Sequence, residues 1–168
     1  MKKVFGLGLM IIFILAACAP AAVSTEPIVS QNGIGVSDPW VRAAAMKEEM
    51  GEGMQDDSQG DMHGGAVTGA FMLIRNTGSQ DDMLVSASSD AAMDVQIHET
   101  TMADGVMSMA EVPGVTIPAG GEAELRPGGY HVMLIGLKEE LKVGDTVTLV
   151  LTFQNAGEIS LEVPVKMP

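Results

Sequence analysis

At 168 residues and 46% apolar side chains the chain can bury a core and hold one domain with extensions, yet aromatics reach only 4%, so Val, Leu, Ile, Ala and Met must fill that core. The net charge of -13 argues against a nucleic-acid partner, whose affinity comes largely from Lys and Arg on phosphate, and suits the attraction of cations.

Residues 1–17 read as a secretory signal peptide: Lys2 and Lys3 precede an apolar run, Val4 to Ala17. The run is short of the about 20 apolar residues that a spanning helix needs. It ends in Leu15-Ala16-Ala17-Cys18, which resembles a bacterial lipobox, and Cys18 is the sole cysteine. An unpaired thiol in an exported protein needs an explanation, and lipidation supplies one. The expectation is a bacterial lipoprotein outside the cytoplasm, in the periplasm or at the cell surface, held to the membrane through Cys18. Residues 18–33 read as the lipidated N-terminus and a tether rich in Pro, Ala and Ser.

The folded domain is expected over residues 34–168. Candidate strands are Ile34–Val36, Trp40–Arg42, Gly69–Arg75, Met83–Ser88, Met93–Glu99, Val106–Glu111, Ala123–Leu125, His131–Ile135, Thr146–Phe153 and Ile159–Val165. Turn signals divide them, among them Asn76-Thr77-Gly78, Pro113-Gly114, Pro118-Ala119-Gly120-Gly121, Pro127-Gly128-Gly129 and Asn155-Ala156-Gly157. Thr146, Thr148 and Thr152 interleave with Val147, Leu149 and Leu151, the alternation of a strand with one buried face. No sustained helical stripe follows the signal; residues 137–141 are given one helical turn at most. Many short strands at this spacing indicate an all-β sandwich or barrel. Residues 43–67 stand apart as an acidic, Met-rich insert with no strand pattern. Loops this long inside a compact domain are usually functional or disordered.

Methionine is the anomaly, with 14 in the chain. Residues two apart on a strand share a face, so His131 and Met133 project together and Met107 and Met109 do likewise. Glycines and prolines separate these strands and let them neighbour one another, bringing His and Met side chains together. Imidazole and thioether donors suit Cu(I), a soft ion. Thioethers carry no proton at neutral pH and escape the disulfide chemistry of an oxidising compartment. A blue-copper centre needs a Cys ligand that the domain lacks, and the acidic residues show no EF-hand pattern. No nucleophile elbow, phosphate loop or zinc-hydrolase motif occurs, so the chain is not expected to be an enzyme. The bland alternative is that Met fills irregular gaps in a core.

The spacing His98, ten residues, Met109, twenty-one residues, His131-x-Met133 resembles the signature of the periplasmic CuA chaperones, the PCuAC family. The surrounding segments are similar too: Asp38-Pro39-Trp40-Val41-Arg42, Asn76-Thr77-Gly78, Ile117-Pro118-Ala119-Gly120-Gly121 and Pro127-Gly128-Gly129-Tyr130-His131-Val132-Met133-Leu134. The resemblance runs from Ile34 to Val165. It implies a cupredoxin-like Greek-key β-sandwich that binds Cu(I) through His98, Met109, His131 and Met133. It implies delivery of copper to the CuA subunit of cytochrome c oxidase; handover by stepwise ligand exchange, to that subunit or another copper acceptor, predicts a monomer that binds its partner transiently. Two rival readings are a copper buffer or uptake lipoprotein without an oxidase partner, and a structural β-sandwich. Two features depart from the family: Glu99, Thr100 and Thr101 stand where members often carry a Met, and the insert is extra. Met102 and Met107 lie near the main set as possible auxiliary ligands. Met46, Met50, Met54, Met62 and His63 in the insert form a further candidate copper site.

Overall fold

The computed structural model describes residues 29–45, 65–103 and 105–167. Eleven strands occur there: β1 (Val29–Gln31), β2 (Ile34–Arg42), β3 (Thr68–Asn76), β4 (Asp82–Ser89), β5 (Ala92–Ala103), β6 (Val106–Glu111), β7 (Val115–Ile117), β8 (Glu122–Leu125), β9 (Tyr130–Leu137), β10 (Thr146–Phe153) and β11 (Gly157–Lys166). No helix is present among the described residues, as an all-β cupredoxin-like architecture requires.

One set of strands runs β6-β5-β9-β3-β2-β1, with β8 lying against β3 and the start of β9. A second set runs β7-β4-β10-β11. They join where Val165 and Lys166 at the end of β11 pair in parallel with Val41 and Arg42 of β2. Sequence neighbours are often not sheet neighbours: β9 sits between β5 and β3, and β11 sits between β2 and β10. That crossing is the connectivity expected of a Greek key.

Strict alternation drives the core. Val147, Leu149, Leu151 and Phe153 of β10 are buried, and Ile159, Leu161, Val163 and Val165 of β11 join them. Ile34, Val36, Ala70, Met72, Ile74, Ile97, Val132 and Leu134 enter the same cluster from the other set. Each large aliphatic side chain fully buried there contributes about 1.5–3 kcal/mol relative to exposure.

Four local expectations are corrected. Val29–Gln31, read as tether, is a strand that folds back on Ile34–Val36. Asn32 and Gly33 both have positive φ (50° and 87°), the two-residue turn whose twist suits a tight hairpin. The break at Asp38-Pro39 does not divide β2: Asp38 takes φ of 48° and the register shifts between Ser37 and Trp40, so a bulge carries the strand through. Val115–Ile117, absent from the candidate strands, is a strand that pairs with β4. Residues 137–141 form no helical turn; Leu141 bridges Ala44 instead.

Both ends of the insert are tied to the body. The Ala43 N–H donates to the Lys166 carbonyl, and the Leu137 N–H donates to the Ala66 carbonyl. The signal segment, Cys18, and Met46, Met50, Met54, Met62 and His63 lie outside the described residues.

Candidate metal centre

Alternation along β9 sends Val132 and Leu134 into the core, so His131 and Met133 stand on the opposite face of the sheet. On β5, His98 sits directly across from His131. Side chains so placed have Cβ atoms roughly 4.5–5.5 Å apart. The two rings lie 5.8 Å apart, centre to centre. Antiparallel pairing of β6 with β5 then sets Met109 opposite Thr100 and Met107 opposite Met102. One outward face therefore carries His98, His131, Met133, Met109, Met107 and Met102.

The other flank is aromatic. Phe71 of β3 is 6.2 Å from His131, and Trp40 of β2 is 4.5 Å from Phe71. Gly69, the partner of Met133, makes room for this row: a Cβ there would come within 2.8 Å of the Phe71 ring. A groove of about 300 Å³ runs over the face, lined by Met107, Met109, His131, Met133, Thr100 and Phe71 among others. His98 does not line it; the residue is half-buried on the neighbouring strand.

Hydrogen bonds orient both imidazoles. His131 Nδ1–H donates to the Gly129 carbonyl at 3.1 Å, which leaves Nε2 with a lone pair. His98 Nε2–H donates to Gln96 Oε1 at 2.8 Å, and Gln96 Nε2 donates in turn to Asp94 Oδ2 at 2.8 Å. That leaves His98 Nδ1 as a buried acceptor with no hydrogen-bond partner. Such an atom costs about 1–3 kcal/mol unless something fills its lone pair. A cation would fill it. Anchoring one ring nitrogen so that the other is free to coordinate is the usual arrangement of a ligating histidine. Among the described residues no three His, Cys, Asp or Glu side chains gather around a point. Beside the two imidazoles this face offers the thioether sulfurs of Met109 and Met133, donors that suit soft ions.

Burial holds the His98 pKa below the ordinary imidazole value of 6.5; repulsion from His131 adds to the shift, and Glu111 opposes it. The ring is thus neutral at physiological pH. Between its depressed pKa and about 6.5 the unfolded chain binds more protons than the folded one. Stability should fall as pH drops through that window and should not depend on this group above it. Urea melts of the metal-free chain at pH 5 and pH 7 test this: His98→Asn should narrow the stability difference between the two. An unchanged difference would exclude His98 as its source.

Sequence spacing did not reveal the flanking residues Phe71, Trp40 and Gln96. Gln96 was recoverable, because it lies two residues from His98 on one strand. Phe71 and Trp40 reach the site only through the pairing of β9 with β3 and of β3 with β2.

The family model described as "Putative lipoprotein LpqE-like" matches residues 34–165. A protein of Leifsonia xyli subsp. xyli named "Putative lipoprotein Lxx21020" is 36% identical over 156 residues, covering 90% of this chain and 82% of the relative. Among solved structures, the solution structure of CuI-DR1885 from Deinococcus radiodurans is 31% identical, with a TM-score of 0.53 over 78% of each chain. The copper-bound PCuAC domain from PmoF2 is 21% identical, with a TM-score of 0.59 over 83% of this chain and 97% of that domain, a likeness of fold.

Proposed function

The chain belongs to the LpqE-like family and has the fold of PCuAC domains, and from that premise we propose that it is an extracytoplasmic copper chaperone that carries Cu(I). The observation that carries the reading is the cross-strand pair His98–His131, each ring with one nitrogen fixed and one free, on the face that also bears Met109 and Met133. In this reading His98 Nδ1, His131 Nε2 and the sulfurs of Met109 and Met133 hold the ion.

Four neutral donors keep the monovalent charge of Cu(I) and need no proton to leave at neutral pH. They also disfavour Cu(II), which prefers harder nitrogen and oxygen ligands. The ligands differ in accessibility: Met109 is 51% exposed and His131 only 6%. Met109 is therefore the ligand that lets go first, and an acceptor's donor can take its place before the histidines release. Exchange by such stepwise replacement is transfer rather than catalysis. A lipid on Cys18 would confine the carrier to the membrane surface and raise its effective concentration near a membrane-bound acceptor. The CuA subunit of cytochrome c oxidase is the acceptor this reading names.

The test is an anaerobic competition titration with a chromogenic Cu(I) chelator, followed by X-ray absorption at the copper edge. One Cu(I) per chain with mixed nitrogen and sulfur scatterers is expected; a shell of oxygen and nitrogen alone would sink the ligand set. Delivery is tested separately by mixing the loaded chain with an apo CuA domain. An acceptor that stays empty would remove the oxidase step and leave binding intact.

A further inference from the structure

The outer end of the β5–β6 hairpin is unusual for a solvated strand end. Met102 and Met107 are direct cross-strand partners there, 66% and 62% exposed. Neither is packing a core, which is the ordinary work of methionine. The opposite face of the same ladder carries Thr101 and Ser108, also paired. Along the paired stretch of β5 and β6, methionine occurs only on the face that bears His98.

Register gives the spacing along that face. The Met102–Met107 pair is followed by Thr100–Met109 and then by His98–Glu111. Each step is two residues, roughly 6.8 Å, which the long, freely rotating thioether side chains can bridge. Met107 lines the same groove as Met109, His131 and Met133. A row of sulfur donors thus leads from the exposed end of the hairpin toward the imidazole pair.

We propose that Met102 and Met107 form a second, weaker Cu(I) docking site, from which the ion passes by way of Met109 to the histidine pair. The proposal rests on the reading of His98, Met109, His131 and Met133 as the main site. Two thioethers without imidazole hold Cu(I) less firmly than the mixed set, so affinity increases inward and loading runs downhill. The same pair, being exposed, is where an incoming donor or an acceptor meets the ion first. Nothing is oxidised or reduced along the row; one neutral donor replaces another at each step, thioether for thioether and finally imidazole for thioether.

The experiment uses the full chain in detergent micelles, with methionine methyl groups labelled with 13C and assigned through Met102→Leu and Met107→Leu. Cu(I) is added past one equivalent without air. The Met102 and Met107 methyl signals should move together, after those of Met109 and Met133 have moved. In stopped-flow loading from a Cu(I)–chelator complex, the double variant M102L/M107L should fill more slowly than wild type. Its equilibrium affinity for the first ion should match wild type. Wild-type loading speed in the double variant, or methyl signals that stay still, would overturn the docking pair while leaving the main site standing. A matching fall in first-ion affinity would also overturn it, because these residues would then belong to the main site. A wild-type chain that binds no Cu(I) would remove both readings together.

Discussion

His131→Ala should lower Cu(I) affinity by roughly 100-fold or more. Loss of a residue that merely orients a ligand costs about 10–100-fold, and His131 is read as a ligand itself. It stands at the centre of the face, across from His98, beside Phe71, and within the groove that Met109 and Met133 line. It is also the most buried member of the set, at 6% exposed, so solvent cannot substitute for it cheaply. Met109→Leu conserves volume on an exposed position and should cost less, roughly tenfold. Because His131 faces away from the core, the alanine variant should keep its fold and lose about 1 kcal/mol for the hydrogen bond to the Gly129 carbonyl. The competition titration and a urea melt read the two effects separately. Wild-type affinity in a folded His131→Ala chain would end the copper reading of this face.

Asp82→Ala should produce the largest loss of stability from a polar site, roughly 3–4 kcal/mol. Asp82 opens β4, is 6% exposed, and its carboxylate accepts three backbone N–H groups. Oδ1 takes those of Met83 at 2.8 Å and Asn155 at 2.9 Å, and Oδ2 takes that of Ala156 at 2.9 Å. The last two belong to the turn between β10 and β11, so one side chain ties that turn to the neighbouring strand. Truncation leaves the Ala156 N–H buried without an acceptor, since Ala156 is only 3% exposed. Asp82→Asn keeps a single acceptor oxygen and must aim its amide at a backbone donor, so it should recover little. A drop in Tm on the order of 10 °C is expected for Asp82→Ala. A loss under about 1 kcal/mol would mean that water replaces the carboxylate. Copper affinity of the folded fraction should stay unchanged, because Asp82 lies in the other set of strands.

How much could be read from the letters follows from the range of the forces involved. Val106–Glu111, exposed along its whole length, has the bounds set by the turn signals on either side of it. Thr146–Phe153 has the bounds that alternation predicts, because a half-buried strand writes its period of two into its own sequence. The shared face of His131 and Met133 is legible for the same reason. β1 was missed because three residues with Ser30 and Gln31 among them carry too little pattern, although the Asn32-Gly33 turn was there to be used. β2 looked divided because a proline ordinarily ends a ladder, and only the unusual backbone of Asp38 lets it continue. The opposition of His98 and His131 lies beyond local pattern altogether. It depends on register between strands more than thirty residues apart, as does the approach of Phe71 from β3. The spacing shared with the PCuAC family pointed to the four residues without showing how they lie relative to one another; the ladder of β5 between β6 and β9 sets them on one face.

His98, Met109, His131 and Met133 stand on the surface turned away from the aliphatic interior, so in the proposed reading folding and metal choice draw on different side chains of the same strands. Such a scaffold can be re-equipped. Thiolates or carboxylates grafted onto positions 98, 109, 131 and 133 would move the preference toward zinc or harder ions, while Val132, Leu134 and Ile97 go on supplying the same burial underneath. In the proposed reading the cargo would then follow from the donors on one side of the sheet, and stability from the aliphatic residues on the other.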